Sequence, residues 1–300
     1  ITFEGKTYLV VPQAAILVLV LAAPASAGKG YTRPELLIET DELAKIVNQS
    51  NVRLVDAVDP GTYQRAHIPG SVNIFYQLLA TLKTRKENGY PASPQDAEKI
   101  FGAAGIDNNT LVVVYDGGEG PLASAVWFAL DFFGHKHVKV LDGGFRKWMK
   151  EGRAVTQDVP KVEKKKFTAV PRPELVVTLE GVKKRDKNTV LADTRSFKEF
   201  IGQDLVPGAA RGGHIPGAVF LEWTNFADSL VTFKSADDIR KALEKKGITK
   251  DTKVITYCQI GLGRSTMMAM AMKLAGYDNV LEYSGSWEEW SADPRLPLEK

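Results

Sequence analysis

The chain holds a single cysteine, Cys258, and five residues separate it from Arg264, with Gly261 and Gly263 in the interval. The run Val254-Ile255-Thr256-Tyr257-Cys258-Gln259-Ile260-Gly261-Leu262-Gly263-Arg264-Ser265 reads as a short buried strand and a glycine-bearing loop, entering a helix that continues from Thr266 to Leu274. A cysteine at that junction has a chemical logic. The N–H groups of a tight loop and of a helix N-terminus stabilise negative charge, so a thiol held there ionises more easily. Arg264 adds a fixed positive charge, and the two glycines permit the backbone angles of a tight cradle. The expected chemistry is a nucleophilic thiolate at Cys258, with Gln259, Ile260, Gly261, Leu262, Gly263 and Arg264 holding the substrate. The competing reading is a small buried apolar residue, which is what a lone cysteine most often is.

The elements that position this loop come from a chain of 300 residues, long enough for two domains, with 44% hydrophobic and 25% charged residues in the ordinary globular range. A net charge of +3 with no concentrated basic stripe argues against nucleic acid as a partner. Ala14 to Ala23 is an unbroken apolar run followed by Pro24 and the small-residue pattern Ala25-Ser26-Ala27, which predicts a signal peptide over residues 1–27 and a periplasmic or secreted protein. The run is shorter than the roughly 20 residues of a membrane span, so no stable membrane insertion is expected after cleavage. With no second cysteine, an internal disulfide is excluded.

The chain repeats itself. Leu54-Val55-Asp56 is answered by Leu191-Ala192-Asp193, His67-Ile68-Pro69-Gly70 by His214-Ile215-Pro216-Gly217, and the β-branched strand Val112 to Tyr115 with Asp116 by Val254 to Cys258. Asp116 and Cys258 are 142 positions apart, and so are Trp148 and Trp290. A repeat this long means two domains rather than a solenoid. The boundaries predicted are 31–153 and 174–300, joined by a proline- and lysine-rich linker over 154–173. Short strands alternating with helices predict an α/β fold, each domain a mainly parallel sheet flanked by helices, with ligands at the carboxyl ends of strands.

In this order, the two His-Ile-Pro-Gly turns, the strand-Cys-loop-Arg segment and the two glycine-to-tryptophan closings resemble the tandem-domain rhodaneses, the thiosulfate and 3-mercaptopyruvate sulfurtransferases. The resemblance spans about Leu36 to Trp290 and implies two rhodanese-like domains, the first without the catalytic cysteine, its place taken by Asp116. It also implies sulfur transfer from a small anionic donor to a thiol, cyanide or protein acceptor through a Cys258 persulfide, without a cofactor.

Two features depart from the family pattern. The loop from Cys258 to Arg264 is one residue longer than the usual sulfurtransferase loop and resembles that of rhodanese-fold phosphatases and arsenate reductases, although those usually have histidine where this chain has Tyr257. Where sulfurtransferases often carry an arginine for the donor, this chain carries Glu199, which is expected to repel an anion unless Arg195 or Arg211 compensates. A phosphatase or arsenate reductase, and a non-enzymatic sulfur carrier, therefore stand as alternatives. His67 and His214 recur in both halves and are expected to be structural, and Met267, Met268, Met270 and Met272 to fill a helix core. No cluster has convincing metal-ligand spacing.

Overall fold

The computed structural model describes residues 2–3, 6–7, 28–228 and 232–300. The apolar run and the small-residue pattern of the expected signal peptide lie outside the described residues.

The first half builds a five-stranded sheet from β1 (Leu37–Ile38), β2 (Val52–Asp56), β3 (Val72–Asn73), β4 (Leu111–Tyr115) and β5 (Val138–Leu141). The spatial order is β1-β5-β4-β2-β3 and every pairing is parallel. Val112 to Tyr115 are fully buried because β4 is central, with helices over both faces. Helices α1 (Thr40–Ile46), α2 (Pro60–Arg65), α3 (Leu82–Asn88), α4 (Pro94–Ala103), α5 (Pro121–Phe132) and α6 (Gly144–Lys150) complete this half. The cap of α1 is Glu39, with Glu42 reaching back to the Glu39 N–H at 3.3 Å.

The second half repeats the plan. Helix α7 (Leu179–Lys183) is followed by β6 (Val190–Asp193), α8 (Phe197–Phe200), β7 (Val219–Phe220), α9 (Ala236–Glu244), β8 (Val254–Tyr257), α10 (Arg264–Leu274), β9 (Val280–Glu282) and α11 (Ser286–Ala292). Its parallel order is β9-β8-β6-β7, and an isolated parallel bridge from Val176 to Glu282 stands where β1 pairs with β5 in the first half. The linker is a strap on the first half. Phe167 is buried edge-on against Phe101 at 5.0 Å, Lys165 pairs with Asp107 at 3.1 Å, and Val170 N–H donates to the Phe133 carbonyl at 3.0 Å.

One apolar core runs through both halves, from Val55 and Val114 to Met272 and Val280. Helices α5 and α10 meet in it, so the four methionines of α10, all fully buried, pack partly against the other half. Methionine suits an irregular interface of this kind because its unbranched chain adapts to the gap. A polar tie seals the edge: Lys29 Nζ donates to Asp142 at 3.1 Å and to Thr232 at 2.7 Å, and Asp142 accepts the Phe233 N–H at 2.8 Å.

Candidate active site

Cys258 follows the last residue of central strand β8 and is 2% exposed. The chain then turns through Gly261 at φ 71° and Gly263 at φ 111°, and α10 begins at Arg264. Only glycine fits at 261, since a Cβ there would lie 2.0 Å from the Ser284 carbonyl oxygen. The turn aims the N–H groups of Ile260 and Ser265 at the sulfur, and Ser265 Oγ donates to Sγ at 3.3 Å. Burial opposes ionisation of the thiol. The nearby Arg264 guanidinium, with the Ser265 hydroxyl and the two N–H groups, outweighs it and holds the thiol below its ordinary range.

The first half contains the same cradle with a different anion in it. Asp116 Oδ1 accepts the N–H groups of Gly118 and Gly120 at 2.9 and 3.1 Å, and Oδ2 those of Leu122 and Ala123 at 3.0 and 3.1 Å. Shifted by the 142-residue repeat, Gly118 and Ala123 fall on Ile260 and Ser265, the two residues whose N–H groups face the sulfur. The carboxylate occupies the position of the thiolate and closes that loop to any external anion.

Arg264 does not stand free over the mouth. Its Nη1 and Nη2 donate to both carboxylate oxygens of Glu199 at 2.6 and 3.0 Å. Glu199 is held by the first turn of α8, where Ser196 N–H donates to Oε2 at 3.1 Å and Ser196 Oγ caps the Glu199 N–H. Burial pushes the Glu199 carboxyl up, but Arg264 and Ser196 bring it below its usual range. The expected repulsion of an anion by Glu199 thus gives way to a neutralised pair. Neither proposed compensator is available: Arg195 is buried on Asp193 at 2.6 Å and on the Gly213 carbonyl, and Arg211 binds the carbonyls of Trp290, Ser291, Asp293 and Leu296.

The other expected binding residues divide by role. Gln259 is buried and its Nε2 reaches the Pro207 carbonyl at 3.3 Å, Leu262 turns its side chain into the shared core, and the Gly263 N–H is taken by Thr266 Oγ1 at 3.1 Å. Ile260 presents its N–H to sulfur while its carbonyl accepts from Arg85. The structure adds residues that local sequence reading missed. Arg85, on α3 of the cysteine-less half, also donates to the Ser284 carbonyl at 3.1 Å and to Glu288 at 2.9 Å, so the first half braces the loop of the second. Ser286 Oγ accepts the Cys258 N–H at 3.0 Å. That serine has φ 54°, the only positive φ outside glycine among the described residues, where the repeat has Gly144 at φ 52°. A strained side chain kept at a glycine position is a signal for a contact the site needs.

The histidines are structural in both copies. His67 Nδ1 lies 2.8 Å from the Tyr63 carbonyl and the ring stacks on Tyr63, while His214 Nδ1 lies 2.9 Å from the Phe200 carbonyl and stacks on Phe200. Each turn is tied to the strand before its loop, Ile68 N–H to Tyr115 Oη at 3.1 Å and Ile215 N–H to Tyr257 Oη at 3.2 Å. Among the described residues, no group of three or more His, Cys, Asp or Glu is placed to hold a metal ion, and no helix is long and apolar enough to cross a membrane.

The copies differ at one buried acid. Asp193 has Arg195, whereas the corresponding Asp56 has Val58, whose N–H it accepts at 3.1 Å. Burial, with the charges of Asp116 and Asp59 adding to it, lifts Asp56 to about 7 against the hydrogen bonds from Val58 and Tyr115. The native state therefore binds this proton more tightly than the unfolded chain, whose aspartates titrate near 3.9. The contribution is fully present below about pH 4 and is lost as pH rises to about 7. Asp56→Asn is expected to match the wild type near pH 4 and to exceed its stability well above pH 7 by roughly 4 kcal/mol. Urea unfolding at the two pH values measures this, and parallel curves would reject it.

Fold and site together define a class: a duplicated α/β protein in which one copy keeps an anion-holding loop around a thiol and the other has closed its loop on its own carboxylate. The rhodanese-like domain model matches residues 39–151 and 179–293, and the chain belongs to the rhodanese family. It is 33% identical to the sulfur carrier protein TtuD of Thermus thermophilus, over 90% of this chain and 99% of that protein. It is also 33% identical to the thiosulfate sulfurtransferase of Pseudomonas aeruginosa, over 88% of this chain and 97% of that one. Among solved structures it is similar to EanB in complex with ergothioneine covalently linked with a persulfide cysteine, with a TM-score of 0.78 and 26% identity over 88% of this chain and 70% of that chain. The names of these relatives support sulfur transfer as the activity of this chain.

Proposed function

We propose that the protein is a sulfurtransferase that moves a sulfane sulfur from a small anionic donor, of the thiosulfate or 3-mercaptopyruvate type, to a thiol, cyanide or protein acceptor through a persulfide on Cys258. The observation that carries this reading is the environment of the sulfur, which is buried yet favoured as thiolate by the N–H groups of Ile260 and Ser265, the Ser265 hydroxyl and Arg264. With thiosulfate, the thiolate attacks the outer sulfur, the new S–S bond forms as the donor's S–S bond breaks, and sulfite leaves with the electron pair. The negative charge then rests on the outer sulfur of the persulfide, where the loop dipoles stabilise it. Attack on that sulfur by cyanide or a thiolate returns Cys258 to its starting state.

Arg264 contributes charge rather than a fork for the donor, because both of its terminal nitrogens are engaged by Glu199. The same engagement counts against the phosphatase and arsenate reductase readings, in which a bidentate arginine would grip a tetrahedral oxyanion. A second reading, a sulfur carrier that discharges to a partner protein, is favoured by the similarity to TtuD. Intact mass measured after treatment with thiosulfate is expected to show one added sulfur, absent in Cys258→Ser. Thiocyanate formation in the variant should fall by about a thousandfold or more. An unchanged rate would overturn the mechanism, and a persulfide that forms but is not discharged by cyanide or small thiols would select the carrier.

A further inference from the structure

Glu282 closes strand β9 with a side chain that is fully buried, and nothing in the sulfur-transfer scheme above uses it. Thr256 Oγ1 donates to its Oε2 at 2.7 Å, while Oε1 is buried without a well-formed hydrogen bond. The Ser265 hydroxyl, which donates to the sulfur at 3.3 Å, also lies close to this carboxyl, where a hydrogen given to it would favour the charged form, while the charge of Cys258 favours the neutral one. Among the described residues, the surrounding elements supply no cation to compensate. From α10, Arg264 is turned to Glu199, and from the first half Arg85 ends on Ile260, Ser284 and Glu288. Strand β8 presents Thr256 and, just beyond its end, Cys258, and the bridge on the other side brings Val176.

The hydrogens of this cluster can be placed by elimination. A hydroxyl has one proton, and that of Ser265 is given to the sulfur, so its oxygen can only accept from the carboxyl. Thr256 reaches both Oε2, at 2.7 Å, and the Leu281 carbonyl, at 3.3 Å, and the shorter contact takes its proton. A second acceptor facing Ser265 would leave two lone pairs opposed in a dry site, next to a thiolate. A proton on Oε1 completes a directed chain, from Thr256 to Oε2 and from Oε1 through Ser265 Oγ to Sγ.

We propose that Glu282 is a positioning residue of the sulfur site: as a neutral carboxylic acid it donates to Ser265 Oγ and so fixes the Ser265 hydroxyl on the thiolate, and later the persulfide, of Cys258. Burial first, and then the charge of Cys258, push this carboxyl well above its ordinary range, in keeping with that state. No proton crosses to the substrate and no bond in Glu282 changes. Its acid form spares the sulfur a second negative charge in a region where such charges repel strongly. The inference rests on Cys258 being the reacting sulfur, but its test needs no donor and so can fail or succeed separately from the transfer reaction.

The thiolate absorbance of Cys258 is titrated in the full-length protein for wild type, Glu282→Gln and Glu282→Leu. The glutamine amide can still donate to Ser265, so its thiolate fraction at pH 7 is expected to stay within about twofold of wild type, whereas leucine should lower that fraction about tenfold. Infrared spectroscopy of the wild type, before and after alkylation of Cys258, supplies a readout that requires no variant to fold. A protonated carboxylic acid band should be present at neutral pH, and its titration midpoint should fall once the sulfur is capped and uncharged. The same band should be missing in Glu282→Gln. A leucine variant that titrates like wild type, or an acid-band region left wholly unchanged by alkylation of Cys258, would overturn the proposal.

Discussion

Replacing Arg264 with alanine is expected to lower stability by about 3 kcal/mol at neutral pH and to slow alkylation of Cys258 about tenfold or more. Two separate losses lie behind these numbers. Glu199 is 4% exposed and would be left with its charge buried and its bidentate partner gone. Its carboxyl is now held below the unfolded range, so it contributes stability above about pH 4.3 that is lost as pH falls through the native value. Without Arg264 the sign reverses: burial would dominate, the native carboxyl would titrate above the unfolded one, and the variant's deficit would shrink on acidification. The second loss is at sulfur, where burial already opposes ionisation and the positive charge of Arg264 is the main influence against it. The double variant Arg264→Ala/Glu199→Gln separates the two, because it should recover most of the stability while Cys258 stays slow to alkylate. Chemical denaturation at pH 4 and pH 7.5, with iodoacetamide kinetics on the same samples, gives both quantities. Recovery of thiol reactivity in the double variant would mean that Arg264 acts on the sulfur only through Glu199.

Asp116→Ala should cost on the order of 4 kcal/mol although the residue lies in the half without a cysteine. Four N–H groups, of Gly118, Gly120, Leu122 and Ala123, converge on this carboxylate, and truncation leaves them pointing at an apolar stub. Each unpaired buried donor costs about 1–3 kcal/mol, and water entering the vacated loop would recover part of that. Helix α5 follows this loop and packs on α10, so the loss should be felt in the stability of the shared core. The chemistry at Cys258 should survive in the molecules that remain folded, since none of its hydrogen-bond partners comes from the Asp116 loop. Thermal unfolding together with persulfide formation per folded molecule checks the division. A variant with unaltered melting temperature would show that the cradle needs no anion.

The strands and turns and the position of Cys258 at a strand end were legible in the sequence because each depends on residues close together in the chain, and the duplication because these local patterns recur in the same order. A β-branched run such as Leu111–Tyr115 makes a buried strand, and Ile68-Pro69-Gly70 makes a turn whose glycine takes φ 83°, whatever lies elsewhere. The expectation of structural histidines drew on the same locality, since a histidine serving both copies could not be specific to the one with sulfur. Glu199 was legible only as a charge. Its sign suggested repulsion, and nothing within a few residues indicates that Arg264, sixty-five positions on, lies against both of its oxygens.

The sequence by itself thus determined which atom could react and what kind of cradle would hold it, since a thiol at the junction of strand, glycine turn and helix meets converging N–H groups from its own segment. Tertiary structure decided the charge around that atom. Parallel order places β6 and β9 on either side of β8, which brings Asp193 with the turn to Glu199 from one neighbour and Glu282 from the other. Packing of the two halves brings Arg85 onto the Ile260 carbonyl. Electrostatic energy depends on distance through space and on burial, and neither quantity is written in the spacing of residues along the chain.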